Sequence, residues 1–135
     1  MPFSSRFPNA DKVLLADVDE SDALQLSSFL ELSGFTVRRG TDVDEALEVF
    51  HSLLPGVVLI DANLPAKSWI TLIQSIRRIE QEKDADYRSI ILVTASRYTT
   101  ELHQKAAKAG AHDVVGKPID NAALLKKIRE HTAVY

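Results

Sequence analysis

The stretch from Val57 to Pro65 constrains the fold of this chain more than any other part of it. Four apolar residues, three of them β-branched, predict a strand buried on both faces, and such strands belong to parallel sheets covered by helices. The run stops at Asp61, and Asn63 and Pro65 turn the chain directly afterwards. Ligands of such sheets bind beyond the carboxyl ends of the strands. Asp61 therefore lies where a functional carboxylate is expected, although a carboxylate that only caps the next helix would look the same.

Other apolar runs follow the same rule, and each is followed by a segment with helical periodicity. The predicted strands are Val13–Ala16, Phe35–Val37, Val57–Ile60, Ile90–Val93 and Val114–Val115. In the segments between them apolar residues recur every three or four positions, which is the spacing of one helix face. Strand and helix alternate five times. This pattern predicts right-handed crossovers and a three-layer α/β fold, a doubly wound (βα)5 parallel sheet.

Length and composition limit the kinds of protein this can be. A chain of 135 residues that is 45% hydrophobic fits one domain with one core. We expect residues 11–132 to form it, with tails at 1–10 and 133–135. The formal charge of −3 is spread over mixed acids and bases, so we expect no nucleic acid partner and no membrane insertion. The absence of cysteine excludes thiolate metal sites, and we expect a cytoplasmic location.

Polar residues with chemical potential stand at four predicted strand ends: Asp17, Asp61, Thr94 and Lys117. In a doubly wound sheet these ends lie along one edge, so their side chains should meet in one crevice. Each alone has a structural explanation, since Asp17 could be a cap, Thr94 a loop hydroxyl and Lys117 a surface charge. Together at the ligand-binding edge they indicate a functional site.

The chemistry that these residues suggest is phosphoryl transfer to a carboxylate. Asp61 is a competent nucleophile toward phosphorus, and the protein mainly has to position it and neutralise accumulating charge. Asp17 and Asp61 could hold Mg²⁺, a hard cation that is bound by one or two carboxylates together with phosphate oxygens. Lys117 supplies a fixed positive charge, and such a pair at ~4 Å attracts by about 4 kcal/mol before desolvation. The Thr94 hydroxyl can donate to a phosphate oxygen.

These motifs resemble the receiver domain of bacterial response regulators, over Lys12 to about His131. The segments that carry the resemblance are Val13-Leu14-Leu15-Ala16-Asp17, Leu59-Ile60-Asp61-Ala62-Asn63-Leu64-Pro65, Val93-Thr94-Ala95, Ala109-Gly110-Ala111 and Lys117-Pro118-Ile119. The resemblance implies a flavodoxin-like sheet of strand order 2-1-3-4-5. It also implies a cis Lys117-Pro118 bond.

The resemblance further implies a function and its partners. Asp61 would accept a phosphoryl group from a sensor histidine kinase or a histidine phosphotransfer protein. The family's Mg²⁺ ligands correspond to Asp17, Asp61 and the backbone carbonyl of Asn63. The domain would signal through altered contacts with a downstream protein, and it would catalyse at most its own phosphotransfer and autodephosphorylation.

The chain departs from the family pattern in three places. Val18 stands where the family has the acid that binds the metal directly, which predicts a weak Mg²⁺ site. Val114 replaces the strand 5 aromatic residue that moves together with the Thr. Trp69 replaces a small residue in the loop after Pro65, and core packing is its plain structural explanation.

Two alternative functions remain open at this point. A degenerate receiver would share the fold but bind partners without phosphorylation, and Val18 and Val114 favour it. A small phosphatase of the haloacid dehalogenase type would use Asp17 as nucleophile and Asp19 as general acid, in an Asp-x-Asp motif. Against the phosphatase, Glu20 stands where that family has Gly, and Asp61 would have no role.

Some expectations concern helix ends and charged residues. Ser21 or Asp22 is expected to cap the first helix, and the charged segment from Glu80 to Ser89 is expected to be helix end and loop. The four histidines are expected at the surface, none of them as a phosphotransfer site.

Overall fold

The computed structural model describes residues 9–83 and 88–132. Its centre is a five-stranded parallel sheet: β1 (Lys12–Ala16), β2 (Thr36–Gly40), β3 (Val57–Asp61), β4 (Ile90–Ala95) and β5 (Asp113–Gly116). The order across the sheet is β2-β1-β3-β4-β5, which confirms the predicted topology. The helices are α1 (Glu20–Leu32), α2 (Val43–Leu53), α3 (Ser68–Lys83), α4 (Thr100–Ala109) and α5 (Asn121–Thr132), with a 3₁₀ turn at Pro65–Lys67 before α3.

The sheet separates two hydrophobic cores, because successive side chains of a strand point to opposite faces. On one face Leu14, Val58 and Ile60 pack with residues of α2, α3 and α4. On the other face Val13 and Leu59 pack with residues of α1 and α5. Every residue of β3 and β4 is buried, as expected of inner strands covered on both faces. No helix in the described ranges is long and apolar enough to cross a bilayer.

Asn9, the first residue that the structure describes, is hydrogen-bonded at the start of β1 and just before β3. The Asn9 carbonyl accepts hydrogen bonds from the N–H groups of Lys12 and Gly56, and its side-chain amide donates to the Leu54 carbonyl at 2.7 Å. A Cβ at Gly56 would lie 2.5 Å from the Asn9 oxygen, so only glycine allows this approach. Asn9 and Ala10, which the sequence assigned to a tail, thus contact the domain. The remainder of the predicted tails, 1–8 and 133–135, lies outside the described residues.

The first helix is capped by Asp19, not by Ser21 or Asp22. The Asp19 carboxylate accepts a hydrogen bond from the Asp22 N–H at 2.9 Å, and Asp19 itself has extended backbone geometry. An N-cap residue satisfies an N–H two or three positions later, so the choice of cap fixes where the helix begins. Asp22 therefore lies inside the first turn of α1, with its side chain free for another contact.

The charged segment after α3 contains a buried ionic cluster. Helix α3 runs to Lys83, and Glu80 near its end is only 4% exposed. Glu80 accepts hydrogen bonds from the Arg77 guanidinium at 2.7 Å and from the N–H and hydroxyl of Ser89 at 2.6 and 2.9 Å. Helix end and loop are therefore found as expected, but Glu80 is buried within them, because these donors satisfy a carboxylate that would otherwise be costly to bury.

Arg77 and His112 extend this cluster to the start of β5. Arg77 also donates to the carbonyls of Gly110 and Ser89, at 2.9 and 3.0 Å. His112 keeps an exposed edge, but its Nδ1 accepts a hydrogen bond from the Ile91 N–H at 3.1 Å. Burial of the ring, together with the charge of Arg77, lowers the pKa of His112 to about 4. His112 is thus a neutral structural acceptor at the end of the sheet opposite Asp61.

Candidate functional site

Strand register brings the predicted residues to one edge of the sheet. Asp61 is the last residue of β3, and it pairs with Thr94 of β4 in the parallel ladder. Asp17 directly follows β1, whose last residue Ala16 pairs with Ile60. Lys117 directly follows β5, and its N–H donates to the Ala95 carbonyl at 2.8 Å. Because parallel strands end in step, four residues that are distant in sequence become neighbours.

Lys117 reaches into the crevice and contacts the central carboxylate. Its Nζ lies 2.8 Å from Oδ2 of Asp61, whose side chain is 1% exposed, while that of Lys117 is 13% exposed. Burial alone would lower the pKa of Lys117, but hydrogen bonding and charge from Asp61, with Asp17 and Asp22, raise it above its ordinary value. The ammonium is therefore a fixed positive charge. The peptide bond to Pro118 is cis, as predicted.

The two carboxyl groups of the site lie against each other. Asp17 accepts a hydrogen bond from the Asp19 N–H at 2.8 Å, and Asp61 accepts one from the Asn63 N–H at 2.8 Å. Burial raises the pKa of Asp17 to about 6, with added effect from the charge and hydrogen bond of Asp61; the Asp19 N–H and the Lys117 charge oppose the shift. A cation between the two groups would relieve their repulsion.

The donor set fits a magnesium ion that keeps several waters. Mg²⁺ is usually held by only one or two carboxylates, and Asp17 and Asp61 supply these, with the exposed Asn63 two residues beyond. No third acid completes the set: within residues 9–83 and 88–132 no group of three His, Cys, Asp or Glu side chains is placed to hold a metal ion. Val18 is 42% exposed beside the site, and the Asp19 carboxylate is engaged as a helix cap.

Thr94 lies beside Asp61 on the neighbouring strand. It is 2% exposed, and its carbonyl accepts a hydrogen bond from the Ala62 N–H at 2.8 Å, which ties the end of β3 to β4. Ala95, the next residue, is small and buried. A hydroxyl at this position can donate to an oxygen of a group bound at Asp61. The small Ala95 side chain leaves room for such a group.

Two of the departures from the family pattern prove to be core residues. Trp69, in the first turn of α3, is 3% exposed and packs in the core formed with α2 and α4. Val114 is equally buried in the same core. The plain structural explanation of Trp69 therefore holds, and Val114 fills space within the sheet instead of presenting a movable ring.

Sequence reasoning missed one side chain of the site. Asp22, on the first turn of α1, places its Oδ2 3.3 Å from the Lys117 Nζ. The sequence treated Asp22 as a possible cap, and no local pattern links it to a lysine 95 positions later. Only the identity of the true cap, Asp19, could have shown that Asp22 was free to face the crevice.

The general-acid role that the phosphatase interpretation gave to Asp19 finds no support in this geometry. Its carboxylate accepts the hydrogen bond that starts α1, so it is not poised over the nucleophile. Asp61 is meanwhile the residue in contact with both Lys117 and Asp17.

Comparisons with known proteins agree with one another. The family model described as "Response regulator receiver domain" matches residues 13–129. Among curated proteins, the chain is 31% identical over 119 residues to "Probable transcriptional regulator ycf27" of Guillardia theta, covering 88% of this chain and 44% of that protein. It is 28% identical over 116 residues to "Cyclic di-GMP phosphodiesterase" of Thermotoga maritima, covering 86% of this chain and 29% of that protein. The chain thus spans less than half the length of these relatives.

Solved structures show the same fold. The chemotaxis protein CheY4 of Vibrio cholerae is 25% identical, with a TM-score of 0.80, over 90% of this chain and 98% of that one. The receiver domain of Ssk1 from Saccharomyces cerevisiae, crystallised with the histidine phosphotransfer protein Ypd1, is similar in fold. It is 24% identical, with a TM-score of 0.81, over 93% of this chain and 90% of the matched chain.

Proposed function

The chain belongs to the response regulator receiver domain family of two-component signalling, and on that basis we propose that Asp61 is its phosphoryl acceptor. The donor would be a phosphohistidine on a sensor histidine kinase or a histidine phosphotransfer protein. The observation that carries the proposal is the pairing of a buried strand-end carboxylate with a fixed ammonium, at 2.8 Å between Asp61 and Lys117.

In the proposed transfer, a carboxylate oxygen of Asp61 attacks phosphorus. The bond from phosphorus to the donor nitrogen breaks, and its electron pair returns to the imidazole. Lys117 counters the negative charge that gathers on the phosphoryl oxygens, and the Thr94 hydroxyl donates to one of them. Asp17, Asp61 and the Asn63 carbonyl would hold Mg²⁺, which supplies further charge neutralisation. Because a third acid is missing, we propose that Mg²⁺ binds weakly.

The partners form part of the proposal. The complex of Ssk1 with Ypd1 pairs a receiver domain of this fold with a histidine phosphotransfer protein, which supports a donor of that kind. A phosphoryl group adds a charge of about −1.5 to −2, enough to reorganise adjacent loops and so alter the contacts of a downstream protein. The domain would catalyse at most the transfer of the phosphoryl group to itself and its own dephosphorylation. A cytoplasmic location is proposed from family membership alone.

The test is phosphorylation by acetyl phosphate with Mg²⁺, followed by intact mass. The wild type should gain one phosphoryl group, and Asp61→Asn should gain none. Asp44→Asn is a matched control, because Asp44 is an exposed acid in the first turn of α2 and should leave labelling unchanged. Equal labelling of wild type and Asp61→Asn would show that another residue is the acceptor.

A degenerate receiver remains the second candidate, and the exposed Val18 is the observation that favours it. This function predicts no labelling of the wild type, either by acetyl phosphate or by a phosphohistidine protein. It also predicts partner binding that is identical for wild type and Asp61→Asn.

A further inference from the structure

Lys117 makes a second contact that the proposed transfer does not use. Its Nζ lies 2.8 Å from Asp61 Oδ2 and also 3.3 Å from Asp22 Oδ2. The Asp22 side chain is 47% exposed, so it forms the outer wall of the site. An ammonium has three N–H donors, and two of them are thus directed to separate carboxylates.

The position of Asp22 is fixed by the same loop that carries Asp17. The Asp19 N–H donates to Asp17 Oδ1, and the Asp19 carboxylate in turn accepts from the Asp22 N–H. This chain of two hydrogen bonds holds the first turn of α1 against the site. The Asp22 carboxylate is therefore presented to Lys117 from a helix end that is itself anchored to the crevice.

Lys117 has room to move if this contact is lost. It borders a cavity of about 120 Å³ between α1 and the start of α5, which is also lined by Asp22, Gln25 and Ile119. A lysine ammonium sits on a flexible four-carbon stem, and many rotamers would fit such a space. Simultaneous contact with Asp61 and Asp22 restricts Nζ to positions within hydrogen-bond reach of both carboxylates.

We propose that Asp22 is a positioning residue, which holds the Lys117 ammonium in place while Asp61 changes from a carboxylate to an acyl phosphate. The inference rests on the proposed acceptor role of Asp61. During the transfer an Asp61 oxygen forms its bond to phosphorus, and the donor's bond to phosphorus breaks with its electron pair staying on the donor atom. Asp22 and Lys117 exchange no proton. Asp22 is the partner of Lys117 that the transfer leaves chemically unchanged.

The first experiment measures the rate of labelling by acetyl phosphate at saturating Mg²⁺. Asp22→Ala should slow labelling about three- to tenfold, the effect of losing one partly exposed charge-assisted hydrogen bond. Asp22→Asn keeps an acceptor oxygen and should fall between wild type and Asp22→Ala. Asp44→Ala, in the corresponding turn of α2, should label at the wild-type rate. A rate for Asp22→Ala equal to or above that of wild type overturns the proposal, as does an equal loss in Asp44→Ala.

The second experiment does not depend on phosphorylation. Urea unfolding is measured for wild type, Asp22→Ala, Lys117→Met and the double variant. If Asp22 acts through Lys117, Asp22→Ala lowers the midpoint in the wild-type background and leaves it unchanged in the Lys117→Met background. Equal shifts in both backgrounds would mean that Asp22 merely supports the helix, and the proposal would be wrong.

The two experiments separate this inference from the function on which it rests. Absence of labelling in the wild type by any donor removes the proposed function. The unfolding cycle then decides by itself whether Asp22 holds Lys117. Labelling of the wild type without coupling in the cycle leaves the acceptor role standing and removes the role of Asp22.

Discussion

Asp17 shows how strongly one residue of the site depends on its surroundings. It is 2% exposed, it contacts a second carboxyl group, and its pKa is raised from 3.8 to about 6. A carboxyl with a higher pKa in the folded chain makes folding take up a proton. Its contribution to stability is therefore greatest below about pH 4 and falls as the pH rises through 6.

We predict that Asp17→Asn stabilises the protein near neutral pH. The amide can still accept the hydrogen bond from Asp19, and the repulsion by Asp61 is gone. The free energy of unfolding at pH 7 should rise by on the order of 1–2 kcal/mol, and this gain should disappear near pH 4. Urea titrations at both pH values measure it, with Asp44→Asn as an exposed control. A gain that does not change with pH would show that Asp17 is ionised throughout.

Val18 belongs to the same scale, because one side chain decides the metal donor set. We predict that Val18→Asp tightens Mg²⁺ binding about tenfold or more, since it adds one carboxylate beside a divalent ion. Val18 is 42% exposed, so the exchange leaves no cavity. Calorimetric or Trp69 fluorescence titration measures the affinity. Superimposable curves for the two proteins would show that a bound metal does not use this position.

At the scale of elements, α3 is held to β4 by the buried cluster of Arg77, Glu80 and Ser89. The contacts join the last turns of the helix to the residue just before the strand, at distances of 2.6 to 3.0 Å. Among the described residues no buried side-chain polar atom lacks a partner. Removing one member of such a cluster leaves the others desolvated and unpaired.

We predict that Glu80→Ala destabilises the domain by about 2–4 kcal/mol, since the Ser89 N–H would lose its acceptor and the Arg77 guanidinium one of its acceptors. Glu82→Ala, an exposed change two positions along the same helix, should have little effect. Thermal and urea unfolding of the two variants provide the measurement. Similar stabilities would mean that the cluster contributes little net free energy.

The sequence predicted strands and strand ends well but side-chain partners poorly. Asp61 and Thr94 came together as expected, because a parallel sheet places the ends of neighbouring strands side by side. The contact of Asp22 with Lys117 depends on which residue starts α1 and on the rotation of that helix. The pairing of Glu80 with Arg77 has a local i,i+3 spacing, but the burial of Glu80 also depends on donors from Ser89, just before β4. Partners such as Asp22 and Ser89 are set by tertiary packing and leave no local pattern.

At the scale of the whole molecule, the packing around Asp61 determines which parts of the structure an added charge there would change. The sheet around it is packed, and Val114 lies in the core without a ring that could swing. We predict that beryllofluoride, a mimic of the phosphoryl group, shifts backbone NMR signals mainly in the loops at 64–69 and 96–100. Val114 should change little. A coherent shift through Val114, Val115 and α5 would show that the strand 5 route works without the aromatic residue.

The attachment of α4 indicates how a change in the loop at 96–100 would move this helix. Its last turn is fastened: Arg77 donates to the Gly110 carbonyl at 2.9 Å, and a Cβ at Gly110 would lie 2.9 Å from the Arg77 stem. Its first turn follows the loop beside Thr94 and begins with two exposed residues, Thr100 and Glu101. A ten-residue helix is a lever of roughly 15 Å. A rotation of α4 by about ten degrees around its fastened C-terminal end would move its first turn by roughly 2–3 Å. The far edge of the sheet would not move.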